Sequence, residues 1–279
     1  MRLLNEPAGT GRPVDLTSPR RPLRVVVVPG IFEECVRAKV RTLSDGLAHL
    51  RSHGYVTDYI PVSGRSGSGH NAGEIRDFVM SMTLVPGERI LLVAYSKGAA
   101  DTLEALTTYP EIVPRVAAVG TIAGVVAGSP VADHYAGLYE QMLRDMGLAV
   151  CPPGDGREVE SITRRVRLAA LAKRPLPSSV QYFSLAGIPG PEKISNALRP
   201  FYNRLAQVDP RNDGQMIFYD AIIPGGTLLG FVQADHWALA MPFSRSPGAF
   251  PLSKSLTQYN QFPREVLLES IVRFIEEQL

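Results

Sequence analysis

The run Val25-Val26-Val27-Val28 is followed at once by Pro29-Gly30. A continuous β-branched run closed by a turn pair predicts a strand buried on both faces. Val36, Val40, Leu43 and Leu47 then recur at helical spacing and predict a helix. Val56 to Val62 reads as a second strand, and Ser63 to Gly69 as a flexible Gly/Ser loop. A second helix is expected from about Asn71, a good N-cap type, with Ile75, Phe78, Val79 and Met82 on one face. Ile90 to Ala94 is a third apolar run, Ala99 to Leu106 reads as helix, and Val116 to Ile122 as a fourth strand. Alternation of this kind predicts a parallel sheet covered on both faces. Crossovers are nearly always right-handed, which makes a mostly parallel, doubly wound α/β sheet the economical topology.

The pattern changes between about Ser129 and Pro177, where strand-like runs vanish. Tyr135 to Met146 and Glu158 to Leu171 read as helices around Cys151-Pro152-Pro153-Gly154. This stretch, 129–178, is expected to be a helical cap inserted into a core made of 23–128 and 179–279. Alternation resumes with Val180 to Leu185, Gln215 to Tyr219 and Leu228 to Val232. A final helix from about Arg264 is expected to bury Leu267, Ile271, Phe274 and Ile275. Residues 1–22, rich in Pro, Arg and Gly, read as an extended arm.

Composition narrows the classes. The 279 residues carry 29 Lys+Arg against 27 Asp+Glu, a formal charge of +2. So small an excess excludes a dedicated nucleic-acid binder, which needs clustered cations. The groups around Arg20, Arg21 and Arg24 and around Arg164, Arg165 and Arg167 read as solvated faces. No apolar run approaches the roughly 18 residues of a membrane span. Cys35 and Cys151 are too few for a disulfide-dense scaffold and are free to pair with each other. No secretory signal pattern is visible, so a cytoplasmic location is expected. No acidic or Cys/His spacing argues for a metal, and no cofactor is expected.

The sharpest chemical signal is Ala94-Tyr95-Ser96-Lys97-Gly98, set between an expected strand and an expected helix. A serine hydroxyl is a poor nucleophile until it is exposed, oriented and paired with a base. A sharp strand-to-helix turn with small residues two positions either side supplies the exposure. Acyl transfer also needs two donors for the oxyanion. The Lys97 N–H at the helix start is one candidate. The Ile31 N–H after the first strand is the other, with Phe32 as second choice. Lys97 itself reads as a surface residue, because neighbours on such a turn cannot aim at one point.

Of five histidines, only His236 follows a late strand. His49 and His53 fall in and after an early helix and read as surface, His70 lies in the Gly/Ser loop, and His134 in the insertion. Asp213 precedes the Gln215 run, giving the chain order Ser, Asp, His. Asp220 and Asp235 compete with it. Asp235 adjoins His236, so in extended chain their side chains point apart. Asp220 is expected at the opposite sheet edge. Phe32, Tyr95 and Trp237 are the candidate pocket residues.

With these residues in view, the chain resembles the α/β-hydrolase superfamily, and within it the bacterial lipases and esterases. The resemblance rests on Val25–Gly30 with Ile31, Asn71-Ala72, Ala94–Gly98, Asn212-Asp213-Gly214 and His236, over roughly 23–125 and 179–279. It implies Ser96 as nucleophile, Asp213 as acid, His236 as base, and a cap over the site. It further implies hydrolysis of a small-molecule carboxylic ester. An acyltransferase or thioesterase shares the same covalent step, and a non-catalytic binding protein can share the scaffold. Where the family carries His-Gly in its oxyanion loop, this chain has Pro29-Gly30, followed by Glu33-Glu34.

Overall fold

The structure is a computed structural model that describes residues 18–134, 151–246, 255 and 258–279. Six strands form one parallel sheet: β1 Leu23–Val28, β2 Val56–Tyr59, β3 Arg89–Tyr95, β4 Val116–Ile122, β5 Gln181–Gly187 and β6 Thr227–Val232. Their order is β2-β1-β3-β4-β5-β6, with every neighbouring pair parallel. The helices are α1 Glu33–Val36, α2 Ser44–Ser52, α3 Ser68–Ser81, α4 Lys97–Thr108, α5 Pro130–His134, α6 Arg164–Lys173, α7 Arg199–Leu205 and α8 Arg264–Gln278.

The apolar runs of β1, β3 and β4 are buried because each feeds two cores. In β1, Val25 and Val27 join one cluster while Val26 and Val28 join the other. In β3, Leu91 and Val93 oppose Ile90 and Leu92 in the same way. The first cluster takes Leu47 and Leu50 of α2 with Leu268, Ile271, Val272 and Ile275 of α8. The second takes Ile75 and Val79 of α3 with Ala99 and Leu103 of α4. The alternating side-chain directions of a strand thus build both layers at once.

Several expectations need correction. The Gln215 run is no strand. Gly214 takes a positive φ of 92°, and only Asn212 and Ile217 form an isolated antiparallel bridge. A 3-10 turn, Phe218–Ala221, follows. The second helix starts at Ser68 with Gly67 as N-cap, three residues before Asn71. Asn71 instead sits inside it and donates to Asp101 Oδ2 at 2.8 Å. The last helix buries Ile271 and Ile275 as expected, but Leu268 and Val272 are buried with them, whereas Leu267 is half-buried and Phe274 is 40% exposed. The Gly/Ser loop is largely buried, because Gly67 N–H donates to Asp155 Oδ1 at 2.8 Å and Arg65 pairs with Glu158 at 3.1 Å. Arg167 is buried rather than solvated, 3.9 Å from Glu104.

The inserted stretch begins with α5 and resumes at Cys151. Its expected helix over Tyr135–Met146 lies outside the described residues. The helix expected from Glu158 starts later, at Arg164, after a 3-10 turn Glu160–Ile162. Cys35 of α1 and Cys151 form a disulfide. Arg20 and Arg21 of the arm donate their backbone N–H groups to Glu276 at 2.6 and 2.9 Å.

Candidate active site

Every element of the site lies beyond the carboxyl end of a strand, where parallel sheets place their ligand crevice. β3 ends at Tyr95, and Ser96 turns the chain into α4 with φ 53° and ψ −125°. A non-glycine residue in such a conformation is strained, and strain of this kind is held only where the surroundings over-determine it. Here they do. The Ser96 N–H donates to Ile122 O at 3.2 Å, and its carbonyl accepts from Ala99 and Val125. Gly98 is required by the same turn. A Cβ there would stand 2.4 Å from Pro29 O and 2.5 Å from Val28 O.

His236 follows β6 and is held twice. Its N–H donates to Asp213 O at 2.9 Å, and its carbonyl accepts from Tyr95 Oη, also at 2.9 Å. The side chains converge: His236 Nε2 lies 2.9 Å from Ser96 Oγ, and His236 Nδ1 lies 2.8 Å from Asp213 Oδ2. The other Asp213 oxygen accepts the N–H groups of Gln215 at 2.9 Å and Met216 at 2.7 Å. Those two bonds curl the segment that the hydrophobic pattern suggested was extended. The carboxylate can only accept, so Nδ1 carries the hydrogen and Nε2 offers its lone pair to the hydroxyl.

Among solved structures, the metagenomic carboxyl esterase MGS0156 superposes with a TM-score of 0.88 at 43% sequence identity, over 100% of this chain and 82% of its own. The chain belongs to the α/β-hydrolase superfamily. Within it, the chain groups with the carboxyl esterases. The mature lipase BlEst2 of Bacillus licheniformis shares the fold at TM-score 0.67 and 20% identity, over 95% of this chain and 96% of its own. The Staphylococcus hyicus lipase does so at 0.65 and 13%, over 94% and 98%. No family model and no curated protein matches the chain.

In this hydrolase the competing acids are engaged elsewhere. Asp235 accepts from Ala238 N and Ser195 N, both at 2.9 Å, and so fixes the turn that carries His236. Burial raises its pKa above the ordinary carboxylate value. Asp220 receives Arg164 Nη2 at 2.8 Å and anchors α6. Lys97 is not a surface residue. Its Nζ is buried and contacts both Asp101 oxygens, at 2.7 and 2.8 Å. That pairing commits the ammonium to α4 and away from Ser96.

The loop after β1 is pinned by Phe32, which adopts φ 61° and donates its N–H to Gly64 O at 3.0 Å. The second-choice donor is therefore spent. Ile31 lies beside Ser96 in the cavity lining. The Lys97 N–H belongs to the first turn of α4, which has no acceptor within its own helix. The two glutamates turn away from the cavity. Glu34 Oε2 accepts from Gly64 N at 3.1 Å, and Glu33 is buried against Tyr59, its pKa raised by that burial.

A cavity of about 70 Å³ lies over Ser96. Phe32, Tyr95 and Trp237 all line it, as do Met216, Met241 and Phe243, which pattern reading did not single out. The two methionines carry no local motif, so only the folded chain brings them to the site. Ser129 and Ile162 of the insertion complete the wall.

Proposed function

We propose that this carboxylic ester hydrolase works through an acyl-enzyme on Ser96. His236 Nε2 removes the hydroxyl proton as Oγ attacks the ester carbonyl carbon. The tetrahedral oxyanion is received by the N–H groups of Ile31 and Lys97. His236 returns the proton to the leaving alcohol oxygen, and the C–O bond breaks. Water, deprotonated by the same imidazole, then releases the carboxylic acid and restores Ser96. Asp213 keeps the imidazole in one tautomer and stabilises its charged form. The observation that carries this reading is the unbroken Ser96–His236–Asp213 chain of 2.9 and 2.8 Å contacts.

The apolar lining favours an ester with a hydrophobic acyl group. The described part of the 129–178 stretch covers that group through Ser129 and Ile162. The Cys35–Cys151 disulfide favours an oxidising compartment over the cytoplasm that the sequence pattern suggested, because cytosolic reductants keep thiols free. Among the described residues, no helix is long and apolar enough to cross a membrane.

Ser96→Ala is expected to cut p-nitrophenyl ester turnover by roughly 10⁴–10⁶ with an unchanged circular dichroism spectrum. A fluorophosphonate is expected to label the native chain at Ser96, as read by peptide mass spectrometry. Near-native turnover in the variant, or a native chain that stays unlabelled, overturns the assignment.

A further inference from the structure

On the far side of the first core, α2 and α8 pack side by side. His49 and His53 stand one helical turn apart on α2 and just beyond its end, and Glu269 faces them from α8. One ligand atom from each of these three residues lies within 4.8 Å of the others. His49 Nε2 is 2.6 Å from Glu269 Oε2. The two imidazole centroids are 4.4 Å apart. Helical spacing of four residues places side chains on one face, which is how two imidazoles come to share a point in space.

We propose that His49, His53 and Glu269 form a binding site for a borderline divalent cation, Zn²⁺ foremost. Zinc takes imidazole nitrogen at about 2.0–2.1 Å and carboxylate oxygen at about 2.0–2.2 Å. Donors around a tetrahedral ion sit about 3.3 Å apart, so separations of up to 4.8 Å have to close by as much as about 1.5 Å, which side-chain rotation supplies. The outer contacts are already those of a metal site. His53 Nδ1 lies 3.0 Å from the His49 carbonyl, which can only accept, so Nδ1 holds the hydrogen and Nε2 holds the lone pair. Glu269 Oε1 accepts Arg273 Nε at 2.8 Å, leaving Oε2 for the cation. Ser52 Oγ sits 3.3 Å from His53 Nδ1 and supports the same tautomer. Cation binding takes the place of the direct His49 Nε2–Glu269 Oε2 contact.

Glu269 is buried whereas His49 is partly open to solvent, so a water completes the coordination. An ion here ties α2 to α8 across 220 residues of sequence. Its effect is on stability rather than chemistry, since none of the three residues lines the cavity over Ser96. The sequence reading found no metal spacing because the third ligand comes from the other end of the chain.

The test uses the full chain, stripped with a chelator and titrated with ZnCl₂ or MgCl₂ by isothermal calorimetry and thermal unfolding. One Zn²⁺ per chain is expected, with a Tm rise of roughly 5–10 °C at a hundredfold excess over Kd. Chelator should reverse it. Mg²⁺, which prefers oxygen donors, should give no rise. His53→Ala and His53→Gln should each raise Kd at least about tenfold, while His70→Ala, an exposed histidine on α3, should not. No saturable Zn²⁺ binding, an unchanged Kd in both His53 variants, or an equal rise with Mg²⁺ overturns the proposal. None of these readouts depends on the assignment of Ser96.

Discussion

Replacing Gly98 by alanine tests how closely the Ser96 turn and the loop after β1 are locked together. Gly98 is the second residue of α4, and an added Cβ would stand 2.4 Å from Pro29 O and 2.5 Å from Val28 O. Both are backbone atoms, so no side chain can swing aside. Contacts of this type do not close below 3.0 Å, so the end of β1 or the start of α4 must retreat by about 0.6 Å. Overpacking of that order costs roughly 1–3 kcal/mol. The better helix propensity of alanine offsets about 1 kcal/mol of it. The moved carbonyls lead directly into Gly30 and Ile31, so the displacement reaches the proposed oxyanion donor. A 1 Å misplacement costs about 10²-fold in rate, and roughly tenfold is expected here, in kcat more than in KM. Steady-state hydrolysis of a p-nitrophenyl ester together with thermal unfolding reads both effects. Gly69→Ala is the control, because a Cβ there meets nothing within 4 Å, and its Tm should hold or rise slightly. If Gly98→Ala keeps kcat within about twofold of the parent and loses no stability, the geometric reasoning is wrong.

Three other outcomes are expected. Asp213→Asn should lower kcat by about 10⁴ through the wrong imidazole tautomer, whereas Asp235→Asn should act mainly on Tm; kinetics and melting of the pair decide, and the reverse ranking would exchange their roles. Cys151→Ser, or reduction of the native chain, should cost roughly 2–5 kcal/mol in urea unfolding, since the bridge closes a loop of 116 residues; a variant as stable as the parent would refute this. Burial raises the pKa of Glu33, so the native state binds its proton more tightly than the unfolded chain does. Stability is then lost as pH rises from the ordinary carboxylate value through the raised one, and Glu33→Gln should gain Tm relative to the parent with increasing pH. A constant difference from pH 4 to 8 would count against it.

The sheet was legible because doubly buried strands have no choice but continuous apolar runs, and β1, β3 and β4 show them without interruption. The elbow was legible because its small flanking residues are demanded by backbone proximity, as Gly98 demonstrates. What escaped pattern reading was decided by single polar contacts. Asp213 Oδ1 curls a segment whose alternation looks extended. Asp101 draws Lys97 inward from a position that looks solvent-facing. Arg167, on α6 of the 129–178 stretch, is drawn down onto α4 within reach of Glu104. On α8 the apolar stripe is wide enough to fit two rotations, and contact with Leu47 and Leu50 of α2 selects between them. Met216 and Met241 reach the cavity from distant loops, and spacing in sequence carries no trace of that.

The strand order has a consequence for assembly. The turn at Ser96 rests on β4 through its N–H bond to Ile122 O and on β1 through the packing of Gly98 against Val28 and Pro29. Its imidazole neighbour lies 140 residues further along the chain, after the edge strand β6. The proposed nucleophile therefore gains its proposed base only when that late segment has docked.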